Sequence, residues 1–156
     1  MPGNAKKNPG SRSTAKAGFS DEERAAMRER VGEAKRAAGR GKRAASPDGE
    51  QELLAKVVAM SPSDRAIAEQ LHALVKAKAP ELEAGTWYGM PAYARAGKNV
   101  FFFQPSAKFK TRYSTLGFND SATLDEGSIW PVSYAISEWT PAVEQQVTKL
   151  LRQALG

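Results

Sequence analysis

The sequence predicts an α+β domain, with an antiparallel sheet of about five strands, two helices before the sheet and one helix after it. Three observations predict this class. Residues 46–80 carry apolar side chains at helical spacing. Residues 81–138 are rich in aromatic and β-branched side chains interrupted by glycine, which is typical of strands joined by short turns. Residues 140–156 return to helical spacing.

Two consecutive helices begin the predicted domain, because Ser61 and Pro62 mark a break followed by a new helix N-terminus. Pro80 ends the second of them. The apolar stripes are Leu53, Leu54, Val57 and Val58 in the first helix and Ile67, Leu71, Leu74 and Val75 in the second. The C-terminal helix has Thr140 as its predicted N-cap and Pro141 at its first position.

The middle of the chain divides into five predicted strands. They lie near residues 86–88, 92–95, 99–104, 108–118 and 128–137. In the third strand, Phe101 and Phe103 should share one face of the sheet and Phe102 the other. Pro131 predicts that the fifth strand is at an edge, is bulged, or starts near this residue. The segment NDSATLDEG predicts a loop or a single helical turn before that strand.

The net charge of +6 is concentrated at the N-terminus. Residues 1–45 hold 12 of the 23 basic residues and 5 of the 17 acidic ones, so their charge is +7 and that of residues 46–156 is −1. We therefore divide the chain into a basic tail and linker, residues 1–45, and a single folded domain, residues 46–156. The charge of the tail predicts weak, nonspecific contact with nucleic acid.

The tail is predicted to be disordered over residues 1–19, which have too little apolar surface to fold, and partly helical after them. Ser20 and Glu23 form a capping box at the start of this helix, and Gly39 ends it. Its apolar stripe is thin and consists of Ala26, Met27, Val31 and Ala34. Such a helix is marginal alone.

The absence of cysteine excludes disulfides, thiolate nucleophiles and zinc sites built on sulfur. No segment has the apolar length of a signal peptide or of a membrane-spanning helix. We therefore predict a cytoplasmic protein with no membrane partner.

The segment AKFKTRY, residues 107–113, has cations at alternate positions. On an extended strand, Lys108, Lys110 and Arg112 would share one face of the sheet. Three like charges on one face require solvent or a negative partner. A solvated face or a protected edge strand explains them, and so does pairing with the acids of residues 120–126. An anion-binding pocket is the third explanation.

The pocket is the hypothesis from which we predict function. Amphipathic rings beside fixed cations are typical of a recognition surface, which would suit a carboxylate, a phosphate or a nucleotide. The predicted ligand-binding residues are Tyr88, Tyr93, Arg95, Lys108, Lys110, Arg112 and Tyr113.

Asp120, Asp125 and Glu126 are the candidate metal ligands, because carboxylate oxygens suit hard cations such as Fe²⁺ or Mg²⁺. In the competing interpretation, Asp120 caps a helical turn that Asp125 closes. The single histidine, His72, lies one position off an apolar stripe and is interpreted as a boundary residue. No catalytic triad can be assembled, so we predict no enzyme activity.

The run LHALVKAKAPELEAGTWYGMPAYARAGKNVFFFQPSAKFKTRYSTLGF, followed by LDEGSIWPVSYAISEW, resembles the YdhG-like family. This is a domain of unknown function whose members are sometimes labelled frataxin-like iron chaperones. The resemblance covers roughly residues 48–155, and YGMPAY and Lys108 are its most specific parts. It implies a small α+β domain with no established enzyme activity. Where members often have a Lys-x-His pair, this chain has Lys108 and Lys110.

The sequence thus predicts a noncatalytic cytoplasmic binding domain without a cofactor. Its cationic, tyrosine-rich sheet surface is expected to bind a small anionic ligand or an acidic protein partner. The alternative, from the resemblance, is a frataxin-like intracellular iron chaperone that binds Fe²⁺ through its loop carboxylates.

Overall fold

The computed structural model describes residues 21–40 and 47–156. The predicted disorder of residues 1–19, the Ser20 cap and most of the linker lie outside the described residues. Within them, the predicted α+β class is confirmed, with a five-stranded antiparallel sheet and helices packed on it.

The five strands pair in the order in which they occur along the chain. They are β1 (Glu83–Trp87), β2 (Met90–Arg95), β3 (Lys98–Gln104), β4 (Ser114–Phe118) and β5 (Ser133–Ile136). Each strand is antiparallel to the next because short connections reverse the chain. The β1–β2 and β2–β3 connections are two-residue turns, and in the first of them Tyr88 and Gly89 have positive φ angles of 51° and 73°. Two such residues form the turn whose twist fits a hairpin.

The described helices are α1 (Asp21–Arg40), α2 (Pro47–Val58), α3 (Pro62–Lys78), α4 (Ser106–Phe109) and α5 (Pro141–Leu155). The predicted helices α2, α3 and α5 are confirmed. In α2, Leu53 and Val57 of the predicted stripe are buried, whereas Leu54 and Val58 are exposed, so the predicted stripe is wrong at these two positions. Thr140 caps α5 as predicted, since its Oγ1 accepts a hydrogen bond from the Val143 N–H at 3.2 Å. In residues 21–40 and 47–156, no helix is long and apolar enough to cross a membrane.

The hydrophobic core lies between one face of the sheet and helices α2, α3 and α5. The predicted alternation in β3 is confirmed: Phe101 and Phe103 are fully buried in this core, whereas Phe102 lies on the opposite face. There its ring covers Gly117 of β4, where a side chain would overlap the ring. Phe102 also contacts the ring of Trp87, with centroids 5.1 Å apart.

The predicted strand over residues 108–118 is wrong over its first six residues. Lys108 belongs to the helical turn α4, Lys110 has a left-handed backbone with φ of 55°, and pairing with β3 begins only beyond Tyr113. The alternation of cations therefore does not place them on one face of the sheet. Lys108 instead lies in α4, Lys110 is its left-handed C-cap, and Arg112 lies in the bend that follows.

The predicted loop before β5 is confirmed over residues 119–132. It contains no helical residues, so the competing interpretation, in which Asp120 caps a helical turn that Asp125 closes, is wrong. The fifth strand is shorter than predicted, and Pro131 lies in the loop just before it. As the proline predicted, β5 is an edge strand.

Candidate functional site

Asp64 organises the segment that carries the predicted cations. It lies in the first turn of α3 and is only 2% exposed. Its Oδ1 accepts hydrogen bonds from the Ser106 N–H and hydroxyl, at 3.1 and 2.7 Å, and from the Ser114 hydroxyl at 2.7 Å. Its Oδ2 accepts from the Ala107 N–H and the Ser61 hydroxyl, both at 2.9 Å. The carboxylate thus caps α4 and ties it to α3 and β4.

These hydrogen bonds determine the charge of Asp64. Burial alone would raise its pKa, because burial disfavours the charged form. The donors from Ala107, Ser106 and Ser114 outweigh burial and lower the pKa of Asp64 from 3.8 to about 2. Asp64 is therefore ionised at neutral pH.

A cavity of about 390 Å³ lies beside this anchor, between the end of α2, the start of α3, the β1–β2 turn and α4. Its polar wall contains Lys56, Ser61, Asp64 and Lys108, and its apolar wall contains Ala59, Met60 and Pro105. The cavity thus combines two ammonium groups with a short apolar surface, as small-molecule sites commonly do.

The β1–β2 turn contributes backbone to this cavity. Gly89 has a left-handed φ, which glycine adopts without strain, and its carbonyl accepts a hydrogen bond from Lys108 Nζ at 3.4 Å. A Cβ atom at Gly89 would overlap both Lys108 Nζ and the carboxylate of Glu29. The missing side chain therefore provides the space in which an ammonium and a carboxylate meet.

Glu29 of α1 places its carboxylate between the two lysines of the cavity. Its Oε2 lies 3.0 Å from Lys56 Nζ, and its Oε1 lies 3.3 Å from Lys108 Nζ. Burial would raise the pKa of Glu29, but the two ammonium groups outweigh it and lower the pKa below its ordinary value. The site thus holds one carboxylate, supplied by the chain itself.

A second ion pair joins α1 to the same loop. The carboxylate of Glu22 lies 2.6 Å from Lys110 Nζ, and it raises the pKa of that lysine. Two of the three predicted cations are therefore paired with acids of α1. The predicted explanation by pairing with Asp120, Asp125 or Glu126 is not what the structure shows for Lys108 and Lys110.

Tyr93 is not part of this site. It is 1% exposed on the core face of β2, and its hydroxyl lies 2.9 Å from Nδ1 of His72. The other ring nitrogen of His72 lies 2.9 Å from Glu50, which also pairs with Lys76 at 3.2 Å. The buried hydroxyl of Tyr93 thus has a hydrogen-bond partner, His72, at the edge of the core. This arrangement agrees with the interpretation of His72 as a boundary residue.

The other predicted ligand residues are dispersed. Arg95 donates a hydrogen bond to the Leu155 carbonyl at the end of α5, at 2.9 Å. Arg112 lies over the ring of Tyr113, 5.1 Å from its centroid, and both side chains are exposed. Tyr88 lies in the turn next to Gly89 and packs edge-on against Trp87, with centroids 4.7 Å apart. Of the seven residues, Lys108 is the one that lines the cavity.

The predicted metal ligands are not assembled into a site. Asp120, Asp125 and Glu126 are exposed in the loop before β5. Across the part of the chain that the structure describes, no group of three or more His, Asp or Glu side chains is arranged to hold a metal ion. In the described structure these three acids are therefore not arranged as a set of ligands, and their role as metal ligands stays a prediction.

Sequence reasoning missed Glu22, Glu29, Lys56 and Asp64. A signal for the first two exists, because they are seven residues apart and share one helix face with Ala25 and Ala26 between them. Apart from Ser61, which lies three residues before it, the partners of Asp64 lie 42 to 50 residues away, and no local pattern reveals those distant partners.

Comparison of the chain with models of protein families, with curated proteins and with solved structures finds no match. The resemblance to the YdhG-like family therefore stays a prediction.

Proposed function

We propose that this protein is a noncatalytic binding domain whose cavity between Lys56 and Lys108 binds a single carboxylate, from a small ligand or an acidic partner. The observation that carries the proposal is the position of Glu29, whose carboxylate lies within 3.0 and 3.3 Å of the two ammonium groups. A site that accommodates this carboxylate from the chain's own helix has the geometry to accommodate another.

The charges around the cavity support a ligand with one negative charge. Lys56 and Lys108 contribute two positive charges, and Asp64 contributes one negative charge that stays ionised at neutral pH. One carboxylate neutralises the remaining positive charge, whereas a phosphate dianion leaves an excess negative charge beside Asp64.

We propose a noncatalytic site because the titratable groups near it are not placed for acid–base chemistry. With its pKa at about 2, Asp64 holds no proton to donate near neutral pH, and donors already engage both of its oxygens. His72 faces Tyr93 and Glu50 instead of the cavity. The proposed site uses charge and shape to bind, with no acid and base placed around a reacting atom.

Two expectations from the sequence belong to this proposal. The motif YGMPAY, through which the chain resembles the YdhG-like family, contains Gly89, the residue that makes room at the site. Membership of that family is thus proposed together with a function for its most specific motif. The absence of cysteine favours the cytoplasm as the compartment.

The test uses the full chain carrying Glu29→Gln, which removes the carboxylate already in the site. Acetate is titrated at constant ionic strength while the backbone amide signals of Gly89 and Lys108 are followed by NMR. We expect saturable shifts with acetate, weaker shifts with inorganic phosphate and none with acetamide, the neutral isostere. Because exposed ion pairs contribute only about 0.2–1 kcal/mol each, binding in the millimolar range or weaker is expected for so small a probe.

Two further substitutions, each added to the Glu29→Gln chain, test whether acetate binds at Lys108. Adding Lys108→Ala should abolish the acetate shifts, whereas adding Lys98→Ala, which removes an exposed lysine from the start of β3, should leave them unchanged. The proposal fails if acetate and acetamide give the same response, or if Lys108→Ala has no effect.

A further inference from the structure

The face of α1 that meets the rest of the protein has a regular pattern. Between residues 21 and 30, the less exposed positions are Glu22, Ala25, Ala26, Glu29 and Arg30. These follow the spacing i, i+3, i+4, i+7 and i+8, which is one face of an α-helix. The other side chains of this stretch are exposed. The helix is therefore docked by a defined face that carries two acids.

The surface opposite this face matches it in both charge and spacing. Glu29 meets Lys56 and Lys108, and Glu22, two helical turns earlier, meets Lys110. Between these contacts Ala26 is 5% exposed, so the helix approaches closely at its smallest side chain. Two turns of helix span about 10.5 Å, which sets the distance between the two basic positions.

We propose that this basic surface, formed by Lys56, Lys108, Lys110 and Gly89, is a docking site for a protein partner's helix with acids along one face, and that α1 is its intramolecular competitor. The inference rests on the proposed carboxylate site, and in it the carboxylate comes from a glutamate or aspartate of the partner's helix. A matching partner helix has acids at positions i and i+7 and a small apolar residue at i+4. α1 satisfies this pattern with Glu22, Ala26 and Glu29.

The contacts of α1 suit a competitor better than a permanent part of the core. Within residues 21–30, its ion pairs with the surface involve side chains that are 27 to 75% exposed, and partly exposed pairs are weak and sensitive to salt. Ala26 is its one buried apolar side chain between residues 21 and 30, and Met27 is 39% exposed. A trans helix with the same face and a larger apolar contact would therefore replace it.

The experiment measures fluorescence anisotropy of a labelled peptide with the sequence of residues 21–40, added to the full chain. We expect the peptide to bind a Glu22→Gln, Glu29→Gln chain about ten-fold more tightly than the wild-type chain, because the altered α1 competes less well. The same two substitutions in the peptide should weaken its binding by a similar factor. Exchanging Glu29 and Arg30 in the peptide keeps its composition but breaks the seven-residue spacing, and should weaken binding equally.

Other results overturn the inference. If the peptide does not bind a variant whose site still binds acetate, the proposed helix docking is wrong, whereas the proposed carboxylate site is retained. If neither peptide nor acetate binds, both fail. Equal binding of the exchanged peptide shows that net charge alone is recognised, and it contradicts a helix-specific surface. A wild-type dimer in sedimentation that becomes monomeric with Glu29→Gln would place α1 on a second copy and overturn its role as an intramolecular competitor.

Discussion

Replacing Asp64 by asparagine tests the anchor on which the site depends. Every polar contact of the carboxylate is with a donor, so the asparagine amide nitrogen must face donors whichever oxygen it replaces. If it replaces Oδ2, the Ala107 N–H loses its acceptor inside the protein, while the Ser61 hydroxyl can rotate. The substitution changes one atom and leaves the shape of the side chain intact, so packing is not altered.

Two routes give the magnitude of the effect. A buried N–H without a partner costs about 1–3 kcal/mol, and the remaining hydrogen bonds weaken when their acceptor loses its charge. Independently, lowering the pKa of Asp64 from 3.8 to about 2 corresponds to about 2.5 kcal/mol, because one pKa unit is worth about 1.36 kcal/mol. We therefore expect Asp64→Asn to lower the free energy of unfolding by about 2–4 kcal/mol at pH 7.

The pH dependence of stability separates the contribution of the negative charge of Asp64 from that of the shape of its side chain. Because the folded pKa lies below the unfolded one, the ionised group stabilises the fold fully above about pH 4, and this contribution is lost as the pH falls through about 2. Urea unfolding followed by tryptophan fluorescence at pH 7, 5, 3 and 2 should show the difference between the wild type and Asp64→Asn shrinking by about 2 kcal/mol. Asp125→Asn, at an exposed loop position, is the matched control and should have little effect at any pH.

A difference below about 0.5 kcal/mol at pH 7 would refute the reasoning, since that is the size of an ordinary surface substitution. A large difference that stays constant down to pH 2 would refute it in another way. The cost would then come from the geometry of the amide, and the hydrogen bonds would not be holding Asp64 in its charged form.

Two further substitutions test the packing around the site and the core. Tyr93→Phe should cost about 1 kcal/mol in urea unfolding, because the buried hydroxyl has a histidine partner, whereas Tyr134→Phe, whose hydroxyl makes only a 3.5 Å contact, should cost almost nothing. Gly117→Ala should cost about 1–3 kcal/mol, because the added methyl overlaps the Phe102 ring. Gly85→Ala, on the same face with nothing within 4 Å of the added atom, should stay within about 0.5 kcal/mol. Equal costs for the two glycines would contradict the proposed overlap.

The helices and most strands were predictable because their signals are local. The apolar spacing of α3, the proline break at Pro62 and the Thr140 cap each depend on residues within a few positions of one another. The alternation in residues 101–103 is likewise a property of the strand itself. These features appear unchanged in the folded structure because the core buries apolar faces that the local sequence already defines.

The basic segment was mispredicted because its conformation is decided from a distance. Alternating cations at 108, 110 and 112 fit a strand, and nothing within the segment contradicts one. The backbone N–H groups of Ser106 and Ala107, however, are taken by Asp64 of α3, and this favours a helical turn over a strand. Tertiary contacts override weak local preference in this way when one buried acceptor satisfies several donors at once.

The positions of Glu22 and Glu29 explain why the net charge of residues 1–45 was a misleading guide to what this segment contacts. Residues 1–45 have a net charge of +7, so the segment was expected to meet negative partners. Yet the face of α1 that contacts the domain presents Glu22 and Glu29 to lysines. Net charge averages over the circumference of a helix, whereas binding depends on one face of it. The negative partners of Lys108 and Lys110 are thus two acids on one face of a helix that belongs to a basic segment. Because those ion pairs are partly exposed and the cavity beside them is not filled by α1, the same surface remains suited to exchange that helix for another carboxylate.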